Sequence, residues 1–118
     1  MLFLIPENKQ RVVIILAKYY VYRFLDADGN IIYIGKTNNI EKRMSNQHFS
    51  SSGHLTRECY VGTDSIGYAE LKSDNAMRIY EIYLISKHKP LYNQEFNYRD
   101  EGMDIELPEP IWIEYPIT

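Results

Sequence analysis

Two runs rich in β-branched and aromatic residues, 19–25 and 31–34, flank the polar stretch Asp26-Ala27-Asp28-Gly29-Asn30. Runs of this length and composition read as strands. Asp28-Gly29 predicts a tight hairpin between them, because such a turn needs positive φ and glycine supplies it at little cost. A third turn-bounded apolar run, 66–71, predicts a third strand, and the β-branched run 12–17 is a candidate extra strand in the lead-in. Residues 39–47 read as a helix, with Asn38 and Glu41 in the form of a capping box. Residues 55–61 read as a short helix. The strongest helix runs from Asp74 to about Lys87, with Ser73 as its cap, Asp74 and Lys87 matched to the helix dipole, and Pro90 just beyond its end.

The hairpin register has chemical consequences. A two-residue turn at Asp28-Gly29 pairs Phe24 with Tyr33 and Tyr22 with Gly35, which brings Tyr22 and Tyr33 out on one face as diagonal neighbours, roughly 7–8 Å apart. A loop of odd length puts them on opposite faces. Gly35 opposite Tyr22 leaves room for the phenol. Lys36 and Arg43 follow toward the same region. His48 lies five residues after Arg43, about 140° round an ideal α-helix, so it shares Arg43's face only if the helix has ended or bulged; Gln47 holds the i+4 position.

In the long helix, Met77, Tyr80, Leu84 and Ile85 form an apolar stripe, and Glu81 sits inside it. A carboxylate there is costly to desolvate unless it is paired or holds a metal. That makes Glu81 the most anomalous acidic residue in the chain.

Length and composition bound the rest. The chain has 118 residues, enough for one domain with a core of its own. Eleven tyrosines fit β-structure and polar contact surfaces. The net charge of −3 argues against nucleic acid until its distribution is considered. Residues 94–118 carry seven acidic residues against Arg99 alone, a net −6, which leaves the first 93 residues at +3. A mildly basic body permits a phosphate-binding face. The tail reads as a linker over 94–106 followed by a candidate strand at 111–115. Trp112 and its acidic neighbours are candidates to dock over the basic face. Cys59 is alone, which excludes a disulfide framework and a cysteine-based zinc site. The apolar runs fall short of the ~20 residues that cross a bilayer, and no basic region precedes the first of them. A reducing cytoplasm and no membrane are expected.

The ordered set Val21-Tyr22, Tyr33-Ile34-Gly35 with Lys36, Arg43, a histidine, Glu81 in a helix and Pro90-Leu91-Tyr92-Asn93 resembles the GIY-YIG nuclease domain. Each motif is weak alone; order and spacing together are specific. Tyr20 stands where the family usually has glycine, and Gln47 where it usually has histidine or tyrosine. The resemblance implies an α/β (α+β) fold with a small central three-stranded antiparallel sheet flanked by helices. It divides the chain into an N-terminal extension (1–18), a nuclease-like domain (19–93) and an acidic, proline-containing tail (94–118). It also implies hydrolysis of DNA with one divalent ion, Mg²⁺ or Mn²⁺, on Glu81. Arg43 would clamp a phosphate oxygen, Lys36 would neutralise the phosphate, and Tyr22 would orient or deprotonate the attacking water with Tyr33 in support. A local insertion would bring His48 into proton transfer, which otherwise falls to Tyr22 and water, and Asn93 would fix the phosphate or a site side chain. The alternative is a nucleic-acid-binding module of the same fold that has lost efficient hydrolysis. Sequence preference is expected to come from loops, a targeting partner or homo-oligomerisation.

Overall fold

The computed structural model describes residues 3–5, 10–12, 18–48, 53–97 and 104–116. Strands β1 (Phe3–Ile5) and β2 (Gln10–Val12) form an antiparallel pair of their own. The candidate strand at 12–17 lies, beyond Val12, outside the described residues. The main sheet contains β3 (Tyr19–Leu25), β4 (Ile31–Thr37), β5 (Ser65–Leu71) and β6 (Ile113–Tyr115), in the order β4-β3-β5-β6 and antiparallel throughout. The sheet thus has four strands rather than the expected three, because the tail returns to pair with β5.

Strand β3 is central, and both of its faces are covered. Tyr22 and Phe24 pack with Ile32 and Ile66 against Ile40, Met44 and Cys59 on one side. Val21, Ile34 and Ala69 pack against Tyr83, Leu84 and Ile85 on the other. The first layer comes from α1 (Ile40–Lys42), the π-helical segment Arg43–His48 and α2 (Arg57–Gly62); the second comes from α3 (Asp74–His88). Ser73 caps α3 by accepting the Ala76 amide. The helix stops at Lys89, whose left-handed backbone (φ 47°) precedes Pro90.

The hairpin turn is longer than two residues. The Asp26 carboxylate accepts the Asp28 and Asn30 amides at 3.0 and 2.9 Å, and Gly29 takes φ 83°. Such a side-chain-to-backbone bracket competes with strand pairing, so the loop spans Asp26–Asn30 and Leu25 pairs with Ile31. Five residues is an odd length, but a bulge in the next step restores the register, and Phe24 still faces Tyr33 while Tyr22 faces Gly35. A Cβ on Gly35 would overlap the Tyr22 ring. The helix start also shifts by one residue. Asn39, not Asn38, caps α1 by accepting the Lys42 amide, because β4 runs on to Thr37, whose hydroxyl holds the Asn39 backbone. Glu41 is drawn instead to the Tyr115 hydroxyl at 3.1 Å.

The free edge of β4 is closed by the segment after α3. Tyr92 donates its amide to the Ile32 carbonyl at 3.0 Å. The Asn93 side chain accepts the Ile34 amide at 2.9 Å and donates to the Ile34 carbonyl at 2.8 Å. One side-chain amide thereby supplies both halves of a ladder rung. Trp112, which immediately precedes the opposite edge strand β6, lies on the guanidinium of Arg23 in β3 (4.3 Å to the ring centroid). Among the described residues no helix is long and apolar enough to cross a membrane.

Candidate active site

The π-helical segment decides which side chain joins the tyrosines. An α-helical turn returns to its face at i+4 and a π turn at i+5. With Arg43–His48 wound as π, His48 comes round to the sheet. Its ring is 1% exposed, and Nε2 lies 2.6 Å from the Tyr22 hydroxyl. The Tyr22 and Tyr33 ring centroids are 6.1 Å apart, and those of Tyr33 and His48 are 5.8 Å apart. A residue that the sequence did not single out holds the other side of the imidazole: the Tyr60 hydroxyl is 2.9 Å from Nδ1. Among eleven tyrosines, one in a short amphipathic helix carries no signal of this role.

Burial governs the protonation of this group. Desolvation, followed by repulsion from His54 and Arg43, lowers the His48 pKa to about 3, so the ring is neutral near pH 7. Desolvation and the neighbouring Tyr33 push Tyr22 well above an ordinary phenol, with Arg43 pulling weakly the other way. Desolvation also raises Tyr33, while its hydrogen bond with Tyr22 lowers it.

Arg43, Lys36 and Glu81 meet at the β4 edge. Arg43 donates from one terminal nitrogen to the Lys36 carbonyl at 3.4 Å, and its Nε is buried with no hydrogen-bond partner among the described residues. A buried donor left unmatched is costly, and a phosphate oxygen would satisfy it. Glu81 is half-buried. Desolvation raises its pKa, Lys36 opposes that, Glu95 adds to it, and Arg78 and Arg43 oppose it more weakly. The ion pair found among the described residues joins Arg78 to Asp74 and leaves Glu81 aside. A carboxylate that is desolvated, unpaired and flanked by cations suits a hard divalent ion, which often takes only one or two protein carboxylates with water completing its shell. No group of three or more acidic, histidine or cysteine side chains suited to a metal occurs among the described residues.

Two hollows adjoin here. A cleft of about 440 Å³ is lined by Tyr33, Glu81, Asn93, Glu95 and His54, among others. A groove of about 310 Å³ is lined by Lys36, Lys42, Arg43 and Arg78, with Asp74. Of the seven residues singled out in the sequence, Tyr33, Glu81 and Asn93 line the cleft, and Lys36 and Arg43 line the groove. Tyr22 and His48 stand behind Tyr33, inside the core. The Asn93 side chain is committed to the Ile34 backbone, a positioning task, rather than presented to a ligand.

Comparison with known proteins supplies relatives. The GIY-YIG catalytic domain model matches residues 18–106. UvrABC system protein C of Methylococcus capsulatus is 32% identical over 83 residues, 69% of this chain but 13% of that protein. The protein of the same name from Symbiobacterium thermophilum is 39% identical over 75 residues (61% of this chain, 12% of that one), and that from Rickettsia bellii is 31% identical over 85 residues (72% and 13%). The chain therefore covers only 12–13% of the length of these relatives. No solved structure gives a significant match.

Proposed function

Because this chain belongs to the GIY-YIG catalytic-domain family, a family of nucleases, we propose that it is a metal-dependent endonuclease that hydrolyses DNA phosphodiesters. The observation that carries the reading is the unpaired, half-buried Glu81 carboxylate between the cations Lys36 and Arg43 and the phenol of Tyr33. Glu81 would hold one Mg²⁺ or Mn²⁺, which when bound polarises the phosphate and stabilises the departing 3′ oxygen. Arg43 offers its unmatched Nε to a non-bridging oxygen, where charge grows in the transition state. Lys36 neutralises the same phosphate.

Water orientation falls to Tyr33 rather than Tyr22, a reversal of the roles expected from the sequence. Tyr33 faces the cleft, whereas Tyr22 is 1% exposed with its hydroxyl held by His48. Tyr22 and His48 then support Tyr33 from behind. A water oxygen bonds to phosphorus, the bond from phosphorus to the 3′ oxygen breaks, and the products carry 5′-phosphate and 3′-hydroxyl ends. The flanking backbone of the substrate would follow the groove of Lys36, Lys42, Arg43 and Arg78 and avoid the cleft, which holds Glu81 and Glu95.

The test is incubation of pure protein with plasmid, branched and single-stranded DNA in Mg²⁺ or Mn²⁺, beside Glu81→Gln and Arg43→Ala. Cleavage abolished or cut sharply by both substitutions is expected. No cleavage of any substrate, or cleavage indifferent to both changes, would refute the assignment. Retardation of DNA by a protein that binds no Mn²⁺ would favour the non-catalytic binding module. Selection of particular DNA sites would then rest on loops, a targeting partner or self-association.

A further inference from the structure

Strand β6 ties the tail to the body, and its last residue reaches the element that carries the groove's cations. The Pro108 carbonyl accepts the Tyr80 hydroxyl of α3 at 3.0 Å, and the Trp112 indole donates to Glu109 at 2.8 Å while stacking on Arg23. Leu107 and Trp112 pack with the layer on the α3 face of the sheet, whereas Tyr115 packs with the layer on the α1 face. The chain changes face by becoming the edge strand, along which successive side chains alternate. On the α1 face the Tyr20, Tyr68 and Tyr115 rings follow one another across β3, β5 and β6, with centroids 5.9 and 6.3 Å apart. This row ends at α1, where the Tyr115 hydroxyl donates to the Glu41 carboxylate at 3.1 Å.

Glu41 stands next to Lys42 and two residues before Arg43. The groove sets Lys36, Lys42, Arg43 and Arg78 against the single carboxylate of Asp74, and neither Glu41 nor a described tail residue lines it. A glutamate side chain released beside these cations would be drawn toward them, neutralising part of the groove and repelling a phosphate. We propose that Tyr115 is a positioning residue that holds the Glu41 carboxylate at the β6 edge, away from the groove, and so keeps the groove open to a nucleic-acid backbone. That role rests on the nuclease reading only in taking this groove as the path of DNA. The tail, acidic as it is, then assists the binding of a phosphate chain rather than competing with it. Tyr115 lies outside the stretch 18–106 that matches the catalytic-domain model, so membership of the family does not account for the contact.

The hydroxyl can be removed without disturbing the ring. The bond to Glu41 is at the surface, and the Tyr115 ring has its own edge contact with Tyr68, so Tyr115→Phe deletes one donor and keeps the packing. A charged acceptor makes this bond stronger than one between neutral partners.

The experiment is fluorescence anisotropy of a labelled DNA duplex with the full chain, in EDTA so that cleavage does not intervene, at low and at high salt. Tyr115→Phe should weaken binding about two- to threefold at low salt, the effect of one charge roughly 8 Å from a phosphate. The loss should fade at high salt, where that charge is screened. Glu41→Gln should bind as tightly as wild type or slightly tighter, and in that background Tyr115→Phe should have no effect. Unchanged affinity in Tyr115→Phe overturns the proposal. A loss that persists in the Glu41→Gln background overturns it as well, because Tyr115 would then act as a structural support alone. A wild type that binds DNA but cuts none would remove the nuclease reading and leave the role of Tyr115 to be decided by these affinities; a wild type that binds no DNA would overturn both.

Discussion

Lowering the pH from about 7.5 to about 4.5 takes this protein through the window in which unfolded histidine gains a proton and folded His48 does not. The ring is 1% exposed, and its pKa falls from 6.5 to about 3, through burial first and then through His54 and Arg43. Between those values the unfolded chain binds more protons than the folded one, so stability is lost as pH falls and is fully present above about 6.5. Each pH unit below that point costs up to about 1.4 kcal/mol. At pH 4.5 the deficit from this ring reaches roughly 3 kcal/mol, a large share of the 5–15 kcal/mol typical of a domain. His88, also lowered by burial, acts in the same direction, while Glu81, raised by burial, acts in the opposite one. A matched His48→Gln protein isolates the ring, because glutamine does not titrate and shares the other groups. Urea unfolding at half-unit steps should show the wild-type advantage shrinking by roughly 3 kcal/mol across the range. Parallel stability curves for the two proteins would refute the account of His48 as a buried neutral ring.

Gly35→Ala places a methyl group against the buried Tyr22 phenol and should cost about 1–3 kcal/mol in urea or thermal melts; an unchanged midpoint would contradict the close approach. Asn93→Ala strips the Ile34 amide and carbonyl of their partners and should cost on the order of 2 kcal/mol. Hydrogen exchange at the Ile34 amide should accelerate with it. Lys42→Ala should reduce the slope of log affinity for DNA against log salt by about 1 while leaving Mn²⁺ binding at Glu81 unaltered; an unchanged slope would move the substrate out of the groove.

Much of the fold was legible because local chemistry and tertiary structure agree. The run 19–25 is β3 to the residue, and Ser73 caps α3 as its side chain suggests. The pairing of Tyr22 with Gly35 was also legible, although the route to it differs. The loop is odd in length, and a bulge adds the missing half-step, so two departures cancel. The carboxylate of Asp26 is responsible, since it offers the turn a bracket that Asp28-Gly29 alone does not reveal. The fourth strand was only partly visible. The run 111–115 was legible as a candidate strand, and β6 occupies Ile113–Tyr115, but its partner was not, because pairing with β5 is a long-range contact that no local pattern encodes. For the candidate site, Tyr22, Tyr33, Lys36, Arg43, His48, Glu81 and Asn93 were singled out from their order and spacing. Tyr60 was not, because it contributes only through a ring that the helical period places elsewhere. The winding of Arg43–His48 is set by where His48 is captured, between Tyr22 and Tyr60, and no local propensity encodes that capture.

That winding has a consequence for how such chains are recognised. One added residue in a single turn shifts a side chain by one place in the sequence and by nearly nothing in space. Four residues wound as α and five wound as π deliver an imidazole to the same phenol. Spacing along the chain and position in the fold are therefore interchangeable here. A search pattern that insists on a fixed step from the arginine would read this chain as missing a group that the fold in fact delivers.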